Sequence, residues 1–158
     1  MTAVLAVGRL REKAFRELAD EYLKRLSRFG KYEEIEVPDL PEREGASPAE
    51  EEKIRLQEGE ALLRRLRPGD RVIAMTIPGK RMSSEELSAR LAEMRNRTPG
   101  RIVFLVGGSL GLGGNVLARA DEEWSMGPMT FPHQMARVML LEQLYRSEKI
   151  AAGERYHK

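Results

Sequence analysis

Short apolar runs alternate along this chain with longer amphipathic segments, and that alternation limits the possible folds more than any other feature. Thr2–Val7 is a β-type run ended by Gly8, and residues 9–28 then place Leu10, Ala14, Leu18, Tyr22 and Leu26 at helical spacing. Tyr32–Val37 alternates apolar and acidic residues and stops at Pro38, as an edge or second strand does. The Pro- and Gly-containing stretch 38–47 reads as a loop. Ser47-Pro48-Ala49-Glu50 offers a capping hydroxyl, a proline at the first helical position and a glutamate three residues after the cap. It predicts a helix to about Leu66, closed by Pro68-Gly69-Asp70. Residues 71–76 read as a buried strand, and Ser83 to Glu86 repeats the capping pattern and opens a helix to about Arg97. Ile102–Val106 is the most apolar strand and runs directly into Gly107-Gly108. A short helical piece with Val116, Leu117 and Ala120, a brief strand at 123–125 and a helix over about 133–149 complete the chain. Parallel neighbours need helical crossovers, so this order predicts an α/β fold: a mostly parallel sheet with helices on both faces.

The 158 residues suit one domain, and 41% hydrophobic against 33% charged residues is enough apolar material for a packed core. With no cysteine there is no disulfide framework, thiolate zinc site or cysteine nucleophile. Two histidines, His133 and His157, are too few for a multi-histidine metal site, so no metal is expected. The longest purely apolar stretches are strand-sized, and Met1 leads straight into the first strand, so the expectation is a cytoplasmic protein without a membrane segment. The net charge of +2 hides an asymmetry: residues 33–60 carry 11 acidic and 3 basic groups, residues 61–101 carry 4 and 10. Such a distribution suits either a face that attracts a polyanion or ordinary solvated helices.

In parallel sheets ligands sit beyond the carboxyl ends of the strands. Three successive strands here end in loops rich in Gly and Pro: 77–80, 107–114 and 126–132. The middle loop is not a P-loop, because Gly114-Asn115 stands where Lys and Ser/Thr belong. Nor is it a dinucleotide fingerprint, because Val116 occupies the third small position and the loop follows the fourth strand. What remains is a backbone that must approach something closely, either a ligand or another part of the chain. The last loop, from Met126 to His133, has no charged residue. It suits either an uncharged flat group such as adenine, read through main-chain hydrogen bonds, or a buried linker packing Phe131 and the methionines.

At these residues the sequence resembles the SPOUT class of RNA methyltransferases and, within it, the ribosomal RNA large subunit methyltransferase H family. The resemblance runs through Val7-Gly8, Ile77-Pro78-Gly79-Lys80, Phe104-Leu105-Val106-Gly107-Gly108 with Gly111-Leu112, and Met129-Thr130-Phe131-Pro132-His133-Gln134. It continues from Arg137 to Arg146 and through Tyr156-His157-Lys158, and so covers the whole chain. It implies a deep trefoil knot in the C-terminal half, S-adenosyl-L-methionine bound in the knot, a homodimer, and methylation of a pseudouridine N3 in 23S rRNA of the assembled ribosome. Met75, Gly107 and the run Met126, Gly127, Pro128, Met129, Thr130 and Phe131 map to the cofactor site. His157 is the implied base or base-positioning group. Tyr156 either stacks on the target base or simply packs, and Arg137 and Arg146 either bind phosphate or orient a partner chain, or pair with Glu142 on the same helix. Leu110 departs from the family, where an acidic residue is frequent. His133 is expected to be a helix-start or packing residue. Methyl transfer from a sulfonium mainly requires holding the nucleophile in line, and the ring N–H must also lose its proton. The competing class is a non-catalytic ribosome-associated RNA-binding factor.

Overall fold

The two purely apolar runs lie side by side at the centre of a parallel sheet. In the computed structural model, which describes residues 1–156, the elements follow in the order β1 (Thr2–Val7), α1 (Lys13–Leu26), β2 (Tyr32–Val37), α2 (Pro48–Leu63), β3 (Arg71–Arg81), α3 (Ser84–Arg97), β4 (Ile102–Val106), α4 (Gly114–Arg119), β5 (Glu122–Ser125) and α5 (His133–Ala151). The strand order is β2-β1-β4-β3-β5, and every neighbouring pair is parallel. The expected α/β arrangement is therefore observed, with β2 at an edge.

Side chains of a strand point alternately to its two faces, so a continuous apolar run feeds two cores at once. Val4, Ala6, Ile73, Phe104 and Val106 join the core under α1, α3 and α5, where Trp124 meets Phe104 edge-on at 5.6 Å. Ala3, Leu5, Val7, Val72, Val103 and Leu105 join the core under α2 and α4. Both capping boxes form: Ser47 with Glu50 and Ser83 with Glu86 each satisfy two terminal amides reciprocally.

At the N-terminal rim of the sheet, Arg101 and Asp70 form a buried pair. The guanidinium donates to both Asp70 oxygens at 3.1 and 2.7 Å, to Glu33 at 3.0 Å and to the Arg65 carbonyl at 2.9 Å. Burial pushes the Asp70 carboxyl up, but these donors outweigh it and hold the group below its ordinary value.

Two local readings change. The first helix starts at Lys13, because residues 9–12 stay outside it. Leu10 is buried in the core and its N–H donates to Glu36, so its helical spacing is coincidental. The third strand overshoots its expected end at Thr76. Met75 pairs with Trp124, the next four residues are displaced, and pairing resumes with Lys80 opposite the same Trp124. The expected loop is thus an outward bulge in one long edge-paired strand.

Candidate functional site

Three strand ends shape one cleft at the C-terminal rim. Behind β4, Gly107 is where the glycine loop folds back on itself: a Cβ there would lie 2.5 Å from the Gly111 carbonyl carbon. Gly111 adopts φ +79°, and its N–H donates to the Gly108 carbonyl at 3.1 Å. Only glycine fits at either position. On β3, Gly79 lies against the backbone of Glu123 and Trp124, where a Cβ would come within 2.7 Å, and this throws Ile77 and Pro78 outward as a lip. Behind β5, the chain from Met126 to Pro132 forms the facing wall.

The resulting cleft has a volume of about 770 Å³. The three loops named from the sequence therefore do come together. Seven of the eight residues mapped to a cofactor site line the cleft: Met75, Gly107, Met126, Gly127, Met129, Thr130 and Phe131. Pro128 does not. The walls are main chain and apolar side chains, with Ile77 45% and Met129 68% exposed at the mouth. Polar side chains are few. Glu123 accepts from the Thr76 hydroxyl at 3.0 Å, and Ser109 and His133 stand at the end nearest β1.

The residues implied at the C-terminus are placed differently. His157 lies outside the described residues. Tyr156 packs on its own chain: its ring meets Tyr145 edge-on at 5.0 Å, the Arg146 guanidinium covers it at 4.7 Å, and its hydroxyl donates to Glu142 at 3.1 Å. Arg146 pairs with Glu142 one turn back at 2.6 Å. Arg137 requires a correction. It was expected to be a catalytic or phosphate-binding side chain, but it has no exposed surface and does not line the cleft. One terminal nitrogen donates to Glu36 at 2.6 Å and Glu34 at 3.2 Å, and the other to the carbonyls of Gly8 at 2.7 Å and Val7 at 3.2 Å. Arg16 shares both carboxylates. Arg137 thus clamps the first turn of α5 to the end of β1.

His133, expected only to start or pack the last helix, instead lines the cleft. Burial lowers its pKa, the Arg137 charge lowers it further, and Asp39 and Glu42 oppose them. Glu58 on α2 was also missed. Its carboxylate is buried, accepts from the Leu40 N–H at 2.9 Å and sits under Gly108, and burial raises its pKa. The sequence shows His133 at a helix start but not that it faces the cleft, and nothing local announces Glu58. Among the described residues, no group of three or more His, Asp or Glu is placed to hold a metal, and no helix is long and apolar enough to cross a membrane.

A parallel sheet with a main-chain-lined cleft at its C-terminal rim is the arrangement in which α/β proteins bind small molecules. The comparisons narrow this. Residues 1–157 match the family described as "Predicted SPOUT methyltransferase". The chain is 45% identical over 155 residues to the protein named ribosomal RNA large subunit methyltransferase H of Alkaliphilus oremlandii, covering 98% of each chain. It is 46% identical over 155 residues to the like-named protein of Carboxydothermus hydrogenoformans and 47% identical over 157 residues to that of Symbiobacterium thermophilum, again with 98% coverage of each. The chain belongs to the SPOUT methyltransferase family.

Proposed function

We propose that this chain, as one domain over residues 1–158, uses S-adenosyl-L-methionine to methylate N3 of a pseudouridine in the 23S rRNA of assembled ribosomes. Convergence of the three strand-end loops on one cleft carries this reading. The cleft suits the donor chemically. Its volume falls within the range of about 300–1,000 Å³ typical of small-ligand sites, and its walls offer apolar contact with main-chain polar groups for an uncharged flat ring. Gly107, Met126, Gly127, Met129, Thr130 and Phe131, with Met75 on the opposite lip, are the groups that would hold it. When bound, it supplies an activated methyl group on a positively charged sulfur. The chain's own task is then mainly to hold the acceptor nitrogen in line and exclude water.

The reading includes the deep trefoil knot of the C-terminal half and a homodimer. Tyr156 rests against Glu142 and Tyr145, nine and twelve residues beyond His133 on the same helix. At 1.5 Å per residue that is about 14 to 18 Å from the cleft end of α5. In this reading Tyr156 serves the cleft of the second copy rather than that of its own chain. Arg137 contributes by positioning the start of α5. One small domain offers little surface to single out one base in a large RNA, so the ribosome supplies much of the recognition, and Lys and Arg contacts make binding salt-sensitive. Action on ribosomes places the protein in the cytoplasm.

The test is transfer of tritiated methyl from the labelled donor to intact ribosomes of a strain lacking the protein, followed by nucleoside analysis. Label in N3-methylpseudouridine is expected. No transfer, with no heat on titrating the donor, leaves the non-catalytic RNA-binding factor. Mixing a tail-deleted chain with a full-length chain disabled in its cleft restores activity if the tail works across the dimer; a fully active monomer contradicts it.

A further inference from the structure

The basic excess over residues 61–101 plays no part in the cleft. Among the described residues no lysine or arginine lines it, although the substrate proposed above is a polyanion. The cations collect at the opposite rim, where helices end and strands begin. The helix-to-strand connections 27–31, 64–70, 98–101 and 120–121 carry six basic and two acidic residues, whereas the strand-to-helix connections at the cleft rim carry three and four. The α2–β3 connection is the most basic of them, with Arg64, Arg65 and Arg67 all exposed. Arg64 comes only to 4.0 Å from Glu60, and no carboxylate among the described residues pairs with Arg65 or Arg67. A helix dipole accounts for basic residues in a last turn, such as Arg95 and Arg97 of α3, but its pull fades within that turn, and Arg67 lies four residues past the end of α2.

The connection that carries these arginines is braced. The Asp70 carboxylate accepts the Arg67 N–H at 2.8 Å and the Arg101 N–H at 3.2 Å, and Arg101 holds the Arg65 carbonyl. A Cβ on Gly100 would lie 2.5 Å from the Gly69 carbonyl oxygen, so the two neighbouring connections touch backbone to backbone. Beside them runs a groove of about 520 Å³ at the ends of α3 and α4, lined by Arg71, Arg90, Arg97 and Arg119. Asp70, Glu93 and Asp121 line it as well, so its own charge is nearly balanced, and the surplus stands on its edge at residues 64–67. Arg71 lines the groove and Met75 the cleft, four residues apart on β3, which puts about 13 Å of sheet between them.

We infer that this rim is an RNA-docking surface, whose arginines hold phosphates of a segment other than the one that carries the target base. This rests on the methyltransferase reading above. A guanidinium has five N–H donors in a planar fork, so one that gives two to a carboxylate keeps others for a phosphate oxygen. A connection already fixed by Asp70 and Arg101 loses little freedom on binding. The opposed placement lets the protein bridge two parts of a folded RNA, one delivered to the cleft and one gripped behind the sheet.

The test uses the full-length protein and ribosomes from the strain lacking it. The triple variant Arg64→Gln, Arg65→Gln, Arg67→Gln is compared with wild type and with Lys13→Gln, Arg43→Gln, Lys53→Gln, which removes the same charge from other exposed positions. Loss of three phosphate contacts lowers the slope of log affinity for ribosomes against log salt by about two to three, and weakens binding about ten- to a hundredfold near physiological salt. KM for ribosomes rises by the same factor, while kcat, donor affinity and melting temperature stay at wild-type values, and the control variant keeps its KM within about threefold. Should the first variant melt below wild type, Arg67→Gln alone reads a slope change of about 0.7–0.9. Because the chain has no cysteine, Asn96→Cys, exposed beside Arg97, takes a photocrosslinker at this rim alone, and irradiation of the complex labels ribosomal RNA. An unchanged KM and salt slope, an equal change in the control, or crosslinks confined to ribosomal proteins overturns the assignment. A wild-type protein that transfers no methyl group fails the parent reading instead, while the salt slope and the crosslink, which need no transfer, still decide the rim.

Discussion

A methyl group at residue 107 is the most direct perturbation of the cleft. In Gly107→Ala the new Cβ would meet the backbone of Gly111 at 2.5 Å from its carbonyl carbon, 2.7 Å from its oxygen and 2.9 Å from its Cα. Ordinary contact begins near 3.4 Å, so the two arms of the glycine loop must part by about 1 Å. No flexible side chain is available to yield, because all three atoms are main chain. Overpacking of this kind costs about 1–3 kcal/mol, which for a domain of this size lowers the melting temperature by about 2–4 °C per kcal/mol. The loop is also a wall of the cleft, and a misplacement of about 1 Å can cost about a hundredfold where geometry matters. Calorimetric titration of S-adenosylmethionine should show affinity reduced by about ten- to a hundredfold, while differential scanning calorimetry shows a modest loss of stability. Gly114→Ala is the control: its Cβ would meet nothing within 4 Å, so donor binding and melting should match wild type. If Gly107→Ala binds the donor as tightly as Gly114→Ala does, the tight crossing of the loop is irrelevant to the cleft.

Three further outcomes follow from the electrostatics. Arg137→Met strands a buried Glu34 carboxylate and two carbonyl oxygens, and should cost about 3 kcal/mol in urea unfolding, the low end for a broken buried pair because Arg16 remains on both carboxylates; a loss below about 1 kcal/mol would show that the clamp is idle. Burial pushes the Glu122 carboxyl up, but Arg90, Arg71 and the Trp124 N–H outweigh it and hold it at about 2, below its ordinary 4.5. Its stabilisation is therefore complete above about pH 4.5 and fades as the pH falls towards 2, so melting curves of Glu122→Gln should be flatter than wild type across that interval. Burial and then Arg137 lower the pKa of His133, so its nuclear magnetic resonance titration should centre below 6.5, with folding stability declining as the pH drops through that region; a midpoint at or above 6.5 would contradict the neutral imidazole.

What could be read from the chain divides by the range of the interactions. Ala3 to Val7 and Ile102 to Val106 are local statements of two-sided burial, and Ser47 with Glu50 and Ser83 with Glu86 are local statements of a helix start; all four appear as read. Gly107 and Gly111 announced a close approach, and it proved to be the loop meeting itself. Leu10 misled because a core position at the right spacing looks the same as a helical one. The overshoot of β3 was hidden because Pro78 and Gly79 signal a turn, whereas their displacement depends on Trp124, 45 residues or more further on. Arg137 was misjudged for the same reason. Its partners Glu34 and Glu36 lie more than 100 residues away, and an arginine amid apolar neighbours reads as available until those carboxylates are seen beneath it.

The Arg101–Asp70 pair lies at the end of the sheet opposite the cleft, and neither residue lines it. A change in that pair therefore alters resistance to unfolding without replacing any wall of the cleft. The cleft end has less latitude, since one guanidinium there both fastens the last helix and borders the histidine.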